Sequence, residues 1–332
     1  MVDLKQYYCE LPFTYTELHT DKQTLCCPYW NTTNIQISEN FLDNWFGEPA
    51  VEIRESMLDG SFKNCSTEYC PSLNTLVKTG AVTGPIKPIV EFKNQIYNKP
   101  KRIKLCFDVA CNLRCPSCRL DIVPNTEERT AKSRLIFKKI EEAYSDELEE
   151  IFTSGTGDPF YSIPMREYLM NINSEKYPKL KNIILHTNGI LWTPKVWDMM
   201  SNIHPYVKSC EISIDAATKE TYEKVRLGGK WETLVENLKF VNTIPTVEQV
   251  ILSFVAQKEN YKEMDVFCDM VNNIFSNKKV LIFFYKVANW GTFSNERYDE
   301  IKVWDETHPL NSDFKIEVEK LKKYKNVVHN FN

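Results

Sequence analysis

The feature that most limits the possible folds of this 332-residue chain is a regular alternation of strand and helix patterns over residues 102–285. Residues 102–108 alternate apolar and polar residues, as strands do, and within residues 127–147 Ile136, Ile140 and Ala143 share one apolar face, as in an amphipathic helix. The predicted strands are 102–108, 149–154, 181–188, 207–215, 249–256 and 279–285, and the predicted helices are 127–147, 163–173, 194–202, 218–226, 230–242 and 261–274. This alternation predicts an α/β fold with a parallel sheet and right-handed crossovers.

Six strand–helix units are too few for a closed eight-stranded barrel, so we predict a partial (β/α)6 TIM-like barrel. In parallel α/β folds the active site lies at the carboxyl ends of the strands. We therefore expect the functional residues to follow the strands rather than to precede them.

The composition is that of an ordinary globular protein, with 42% hydrophobic and 26% charged residues. This excludes a wholly disordered chain. The 41 basic and 45 acidic residues create no basic field, so we expect no nucleic-acid partner. No segment approaches the roughly 18 uninterrupted apolar residues of a membrane span, and the first residues lack the apolar core of a signal peptide. We predict a cytoplasmic protein without a membrane partner.

The chain has eleven cysteines, and their distribution indicates metal or redox chemistry. An odd number of cysteines in a cytoplasmic protein argues against a disulfide framework. One group lies in the first 70 residues and comprises Cys9, Cys26, Cys27, Cys65 and Cys70. A second group comprises Cys106, Cys111, Cys115 and Cys118. Cys106 and Cys210 lie in strand patterns and are predicted to be buried strand residues.

Three cysteines of the second group, in Cys111-Asn-Leu-Arg-Cys115-Pro-Ser-Cys118, follow the first predicted strand directly. Three thiolates on a short irregular loop can converge on one soft metal centre. A structural zinc site normally has four protein ligands, whereas a four-iron cluster with three cysteines keeps one iron free for an exogenous ligand. A zinc knuckle that borrows a fourth ligand and three incidental thiols are the alternatives.

This spacing, in the loop after the first strand, resembles the radical S-adenosylmethionine (SAM) enzymes, and the resemblance covers about residues 102–290. It implies that Cys111, Cys115 and Cys118 bind a [4Fe-4S] cluster whose free iron chelates the amino and carboxylate groups of SAM. One electron from the cluster would split SAM and give a 5′-deoxyadenosyl radical that abstracts hydrogen from a C–H bond. The resemblance also implies a one-electron reductant such as flavodoxin or ferredoxin.

The segment Ser154-Gly-Thr-Gly-Asp-Pro159 follows the second predicted strand. Its glycines let the backbone approach a ligand closely and expose N–H groups. It occupies the place of the family's Gly-Gly-Glu motif, which implies that Thr156, Gly157 and Asp158 hold the SAM amino group. A plain strand-to-helix turn is the alternative.

Further candidates follow the third, fourth and fifth predicted strands. Asn188 lies in a Thr-Asn-Gly turn similar to one in the family, and Ser213 and Asp215 share one strand face, where they suit a ribose hydroxyl or a carboxylate. The resemblance implies that Arg226 pairs with the SAM carboxylate, which requires the bidentate geometry of arginine, and that Gln257 contacts adenine. A tight turn, a helix cap at Asp215 and a solvated helix end at Arg226 are the alternatives.

The amino-terminal cysteines lie in Cys9-Glu-Leu-Pro-Phe13, in Cys26-Cys27-Pro-Tyr-Trp30 and in a run from Cys65 to Cys70-Pro71. With the arginine of Glu52-Ile-Arg54, this segment resembles half of the SPASM module, or twitch domain, which usually lies after the barrel. The resemblance implies an auxiliary [4Fe-4S] cluster. Its ligands would be Cys9, Cys65, Cys70 and either Cys26 or Cys27, of which Cys26 is favoured. A zinc-binding lid is the alternative.

These patterns divide the chain into four parts. We predict an auxiliary-cluster domain over residues 1–75, a linker over 76–101, where prolines interrupt regular structure, the radical SAM partial barrel over 102–290, and a carboxyl-terminal extension over 291–332 that covers the barrel.

The predicted function is that of a radical SAM oxidoreductase or epimerase acting on a carbohydrate, a cyclitol or another small substrate. A small substrate is favoured because the chain begins almost at the cluster module, which leaves no extra segment to bind a leader peptide. The first alternative is the modification of a ribosomally made peptide. The second is a metal-binding protein without catalytic turnover.

Overall fold

The structure is a computed structural model that describes residues 2–31, 35–36, 40–92, 98–153 and 155–331. The chain forms two compact units. The first unit comprises residues 1–108, 128–154 and 172–182, and the second comprises 109–127, 155–171 and 183–332. Ser154, which opens the predicted glycine-rich segment, and residues 93–97 of the predicted linker lie outside the described residues.

The structure contains strands and helices throughout the described chain. The strands are β1 (Tyr7–Cys9), β2 (Tyr15–Leu18), β3 (Lys22–Thr24), β4 (Ile35–Gln36), β5 (Ile86–Pro88), β6 (Arg102–Leu105), β7 (Glu150–Thr153), β8 (Asn182–Thr187), β9 (Ser209–Ser213), β10 (Gln249–Ala256), β11 (Lys279–Lys286) and β12 (Val327–His329). The α-helices are α1 (Leu11–Thr14), α2 (Phe41–Phe46), α3 (Glu48–Leu58), α4 (Pro71–Thr79), α5 (Glu127–Tyr144), α6 (Ile163–Met170), α7 (Pro194–Met199), α8 (Lys219–Val225), α9 (Trp231–Thr243), α10 (Met264–Ile274), α11 (Asn295–Ile301) and α12 (Asn311–Lys320).

In the first unit, β2 lies between parallel and antiparallel neighbours. It runs parallel to β6, with Tyr15 opposite Arg102, and β6 runs parallel to β7. On its other side β2 pairs antiparallel with β3, and β3 pairs antiparallel with β4. β1 and β5 form a separate antiparallel pair in which Cys9 lies opposite Ile86. The amino-terminal cysteine-rich segment therefore supplies a strand beside the first strand of the predicted barrel.

In the second unit, each pairing described among β8, β9, β10, β11 and β12 is parallel. β12 comes from the carboxyl-terminal extension and lies beside β11. The core beneath these strands includes Phe254 of β10, whose ring centroid is 5.1 Å from that of Phe267 in α10 and 5.2 Å from that of Phe284 in β11. All three rings are fully buried, and burial of each contributes about 1.5–3 kcal/mol.

The predicted α/β class with a mostly parallel sheet is confirmed, and all six predicted barrel strands are present. Their ends differ: β6 ends at Leu105 rather than at 108, and β9 ends at Ser213 rather than at 215. The second difference has a clear cause, because Asp215 has a φ of 63°, which an extended strand cannot accommodate. Cys106 and Cys210 are buried as predicted, Cys106 one residue beyond β6. Within the described part of the chain, no helix combines the length and hydrophobicity of a membrane span.

Candidate active site

The loop after β6 brings the three cysteines of the second group to one cavity of the second unit. Cys111 and Cys115 are buried, and Cys118 is exposed. The Cys111 amide donates to the Val123 carbonyl at 3.0 Å, which closes the base of the loop, and the Cys118 amide donates to the Cys115 carbonyl at 2.9 Å. This backbone turn brings Cys115 and Cys118 to the wall of the same cavity.

The same cavity collects residues from the carboxyl ends of several strands. Its other lining residues are Leu113, Arg119, Gly155, Gly157, His186, Thr187, Asn188, Ser213 and Arg226. Four of the predicted SAM-binding residues, Gly157, Asn188, Ser213 and Arg226, thus lie around the three cysteines. The other four, Thr156, Asp158, Asp215 and Gln257, are not among the described lining residues of this cavity, and their contact with a ligand stays a prediction.

Each of the three thiols faces one side-chain N–H donor. Asn188 Nδ2 donates to Cys111 Sγ at 3.7 Å, Arg226 Nη1 donates to Cys115 Sγ at 3.7 Å, and Arg119 Nη2 donates to Cys118 Sγ at 3.4 Å. Donors of this kind stabilise thiolate, the form in which cysteine binds metals.

Burial opposes ionisation of the Cys111 and Cys115 thiols. It raises the pKa of Cys111 to about 11, with the Asp158 charge adding to the effect and Arg119 opposing it. Burial also raises the pKa of Cys115, although the nearby Arg226 charge acts in the opposite direction. Thiols that are largely protonated without a cation, yet surrounded by donors for the thiolate, suit metal ligation better than they suit a free nucleophile.

The buried carboxylate of Asp158 ties two loops of the cavity together. Its Oδ2 accepts hydrogen bonds from Thr187 Oγ1 at 2.7 Å and from the Asn188 amide at 2.9 Å. Its Oδ1 accepts from the amides of Phe160 and Tyr161 at 3.0 and 3.2 Å. Asp158 therefore fixes the Thr-Asn-Gly turn, and through it places Asn188 beside Cys111.

Asp215 and Arg226 form a buried ion pair at the cavity wall, with Arg226 Nη2 2.7 Å from Asp215 Oδ2. Burial acts to lower the pKa of Arg226, but the charges of Asp215 and Cys115 outweigh burial and raise it. Arg226 Nε is buried and has no hydrogen-bond partner among the described residues. An unpartnered buried donor beside three thiols is a suitable anchor for an anionic group of a ligand.

His186 and Arg119 line the cavity but were not singled out from the sequence. His186 Nε2 lies 3.1 Å from Ser213 Oγ, and its Nδ1 lies 3.8 Å from Glu211 Oε2. The available signal was a polar residue near the end of β8, which the sheet places opposite Glu211 of β9. Gln257 is buried, and its backbone carbonyl accepts a hydrogen bond from the Asn260 amide in the turn after β10.

Three thiols that each accept from an N–H donor fit the ligand set of an iron–sulfur cluster. Among the described residues, no three His, Cys, Asp or Glu side chains are arranged to hold a metal ion. The ligands of one tetrahedral zinc ion must approach a common point, whereas the cysteines of a four-iron cluster bind different irons and stand further apart. The zinc-knuckle alternative for Cys111, Cys115 and Cys118 stays a prediction.

In the first unit, the amino-terminal cysteines also come near one another. Burial raises the pKa of Cys26, and the charges of Cys9, Cys65 and Cys70 raise it further. Burial likewise raises the pKa of Cys65 to about 12, with the Cys70 charge adding to it. For Cys27 burial is again the largest cause of a raised pKa, but the charged groups that act on it most are Glu17 and Lys104. Cys9, Cys65 and Cys70 therefore influence Cys26 more than Cys27, and the assignment of Cys26 as the fourth ligand stays a prediction.

The buried Arg54 holds the elements around these cysteines. Its Nε donates to the Pro12 carbonyl at 2.8 Å and its Nη1 to the Trp45 carbonyl at 2.7 Å. Its guanidinium carbon also lies 4.3 Å from the centroid of the Trp45 ring. Arg54 thus links α3 to α1 and α2, which both precede it in the chain, and this is a structural role.

Comparison with known proteins gives a family match over the same region. A family model described as the radical SAM superfamily matches residues 107–271. The chain is similar to a GTP 3′,8-cyclase of Clostridium perfringens strain SM101, with 27% identity over 174 residues, which are 50% of this chain and 49% of the relative. A GTP 3′,8-cyclase of strain 13 is 29% identical over 123 residues, 36% of each chain. The chain thus spans half or less of the length of these relatives.

Among solved structures, the chain is similar to TYW1 with a lysine–pyruvate adduct bound. The sequence identity is 16%, the TM-score is 0.39, and the match covers 65% of this chain and 73% of the other.

Proposed function

Since this chain belongs to the radical SAM superfamily, we propose that it cleaves SAM reductively and uses the resulting radical to abstract hydrogen from a C–H bond of a bound substrate. The family implies a SAM-binding [4Fe-4S] cluster and SAM itself, and the cluster when bound supplies the electron for this cleavage. The observation that carries the proposal is the cavity in which Cys111, Cys115 and Cys118 each face an N–H donor.

The residues around the thiols have different proposed roles. The three cysteines would hold the cluster, and the unpartnered Nε of Arg226 would bind the SAM carboxylate. Asp215 neutralises and aims Arg226. At Gly157 the absence of a side chain lets a ligand approach the backbone. The protein holds the reacting groups in place and excludes water from them.

For the substrate, we propose a small molecule that carries hydroxyl groups. His186 and Ser213 present hydrogen-bonding groups to the cavity, and such groups suit the hydroxyls of a carbohydrate or cyclitol, the substrate class expected from the sequence. A nucleotide is the second candidate, because the relatives are named as GTP 3′,8-cyclases and its ribose offers the same hydroxyls. Oxidation or epimerisation, rather than cyclisation, stays a prediction, as does the alternative of a peptide substrate.

We further propose that Cys9, Cys26, Cys65 and Cys70 bind an auxiliary [4Fe-4S] cluster in a SPASM-like or twitch-like segment. Their mutual electrostatic effects support this assignment. Such a cluster could accept an electron from the substrate radical, which would make the net reaction an oxidation. The proposed electron donor to the enzyme is a flavodoxin or a ferredoxin, and the proposed location is the cytoplasm.

The test is the formation of 5′-deoxyadenosine by anaerobically reconstituted protein with SAM and dithionite. Wild-type protein should form it, and Cys115→Ala should form none. Cys268→Ala is the matched control, since Cys268 is a buried cysteine of α10 outside the cavity, and it should retain activity. A wild-type protein with verified iron content that forms no 5′-deoxyadenosine would contradict the proposal. Adding GTP, monosaccharides or cyclitols to the same assay and analysing products by mass spectrometry then separates the substrate classes.

A further inference from the structure

Arg119 has a special position among the three side chains that donate to the cysteine thiols. Its Nη1 donates to the Val109 carbonyl at 3.0 Å, and its Nη2 donates to the Thr156 carbonyl at 2.6 Å and to Cys118 Sγ at 3.4 Å. The guanidinium is therefore held from three directions and cannot turn away from the thiol without breaking two carbonyl contacts. Cys118 is the exposed member of the three cysteines.

Of the three donors, Arg119 is the one whose positive charge has no acidic hydrogen-bond partner among the described residues. Asn188 is neutral, and the charge of Arg226 is compensated by Asp215 at 2.7 Å. The hydrogen bonds that the structure describes for Arg119 go to two carbonyl oxygens and one thiol, so they leave its positive charge uncompensated. The contact with Cys118 Sγ therefore brings a fixed positive charge to one of the three thiols.

We propose that Arg119 raises the reduction potential of the cluster bound by Cys111, Cys115 and Cys118, acting through its N–H···S bond to Cys118. The inference rests on the proposed function, because it requires that cluster. Reduction adds one negative charge to the cluster, and a fixed positive charge at hydrogen-bond distance from a ligand sulfur stabilises the reduced state. Hydrogen bonds to the sulfurs, net charge and solvent exposure are the quantities that set iron–sulfur potentials.

The same loop offers a control for the charge of Arg119. Arg114 lies between Cys111 and Cys115 in sequence, but its side chain is half-exposed and its Nη1 lies 3.9 Å from the exposed Asp121. Replacing Arg114 removes one positive charge from the same short segment without removing a donor to a thiol. A potential that responds to Arg119 and not to Arg114 would therefore report the contact, not the overall charge of the loop.

The test is a potentiometric titration of the iron-loaded protein, followed by electron paramagnetic resonance under anaerobic conditions. The cluster in question is the one whose reduced spectrum changes when SAM is added, which distinguishes it from an auxiliary cluster. In Arg119→Gln the equilibrium constant for one-electron reduction should fall at least tenfold, which is a shift of about 59 mV for a one-electron couple. In Arg119→Lys this equilibrium constant should stay within threefold of the wild-type value, and in Arg114→Gln it should equal the wild-type value.

Two results would overturn the inference. The first is an unchanged potential in Arg119→Gln with full iron content. The second is an equal fall of the equilibrium constant for reduction in Arg119→Gln and Arg119→Lys. Both variants lose the paired hydrogen bonds to the two carbonyls, but only lysine keeps the positive charge, so an equal fall would mean that the charge has no effect. If Arg119→Gln does not retain iron, Arg119→Lys decides alone. An equilibrium constant for reduction within threefold of wild type supports the inference, and a larger fall of this constant overturns it. A wild-type protein that binds no cluster would instead contradict the proposed function.

Discussion

Arg226 and Asp215 form a buried ion pair in which the carboxylate belongs to a residue with left-handed backbone conformation. The Asp215 φ is 63°, and its side chain is 3% exposed. The Val255 amide donates to Asp215 Oδ1 at 2.7 Å, and Asn260 Nδ2 donates to the Asp215 carbonyl at 2.9 Å. Such strain persists only where neighbouring groups fix the backbone, and it is concentrated at functional sites. Here the strained residue holds Arg226, which lines the proposed SAM site and whose buried Nε has no partner among the described residues.

The ion pair predicts a large loss of stability in Asp215→Asn. Asparagine tolerates the left-handed conformation, so the main effect is an uncompensated buried guanidinium, which costs about 3–5 kcal/mol. The measurement is urea unfolding of the iron-loaded protein by tryptophan fluorescence. The control is Glu232→Gln, which breaks an exposed pair with Lys219 and should cost less than about 1 kcal/mol. Equal urea midpoints for the two variants would show that the buried ion pair contributes no more to the free energy of unfolding than the exposed pair does.

The free donor of Arg226 predicts weaker SAM binding in Arg226→Lys. Lysine keeps the charge beside Asp215 but lacks the Nε donor and the planar fork. We expect the Kd for SAM to rise about tenfold, which corresponds to about 1.4 kcal/mol, as measured by anaerobic equilibrium dialysis of the iron-loaded protein. Arg297→Lys is the control, because Arg297 pairs with Glu300 on an exposed helix, and its Kd should equal that of wild type. A wild-type Kd in Arg226→Lys would remove Arg226 from the SAM site.

The strands of the barrel could be predicted from the sequence because their signal is local. A short run rich in β-branched and other apolar residues predicts a strand such as β10 without knowledge of its partners, and the ends of β10 agree with the prediction residue for residue. The end of β9 could not be predicted in this way. Asp215 continues the alternating pattern, and only the contacts of its carboxylate with Arg226 and Val255 show why the chain turns there.

The residues of the site were predictable only where a short motif marks them. The spacing of Cys111, Cys115 and Cys118 is such a motif, and the structure brings the three to one cavity. Arg119 carries no motif of its own, and its importance arises from a carbonyl 37 positions away, at Thr156. His186 likewise depends on Ser213, 27 positions away on another strand. Contacts between distant segments are set by the packing of the sheet, which a single sequence does not display.

The Thr-Asn-Gly turn predicts a specific sensitivity at Gly189. Its φ is 77°, and an added Cβ would lie 3.0 Å from Leu234 Cδ1 and 3.1 Å from Ile212 Cγ2. Gly189→Ala should therefore combine the cost of a left-handed L-residue, about 1–2 kcal/mol, with overpacking of about 1–3 kcal/mol.

Gly291→Ala separates these two costs, since Gly291 has a φ of 81° and an added Cβ there meets no described atom within 4 Å. Urea unfolding should show only the backbone cost in Gly291→Ala and the larger sum in Gly189→Ala. If both variants lose the same stability, the contacts with Leu234 and Ile212 relax freely and the packing argument is wrong.

The grouping of the amino-terminal cysteines predicts different outcomes for two adjacent thiols. Cys26 is influenced by Cys9, Cys65 and Cys70, whereas Cys27 is influenced most by Glu17 and Lys104. If these cysteines hold an auxiliary cluster, Cys26→Ser should lower the iron content of anaerobically reconstituted protein by about four atoms per chain, the content of one [4Fe-4S] cluster. Cys27→Ser should leave it unchanged, because the charged groups that influence Cys27 most are Glu17 and Lys104 and not the other cysteines.

Iron and sulfide analysis with Mössbauer spectroscopy is the measurement, and the SAM-dependent spectral change of the other cluster shows that the barrel remains intact. The two serine variants are matched in chemistry and differ by one position, so general destabilisation of the segment would affect both. Loss of iron in Cys27→Ser alone would reverse the assignment. Unchanged iron in both variants, with about four atoms in wild type, would mean that the amino-terminal cysteines bind no cluster and that Cys111, Cys115 and Cys118 account for all the iron.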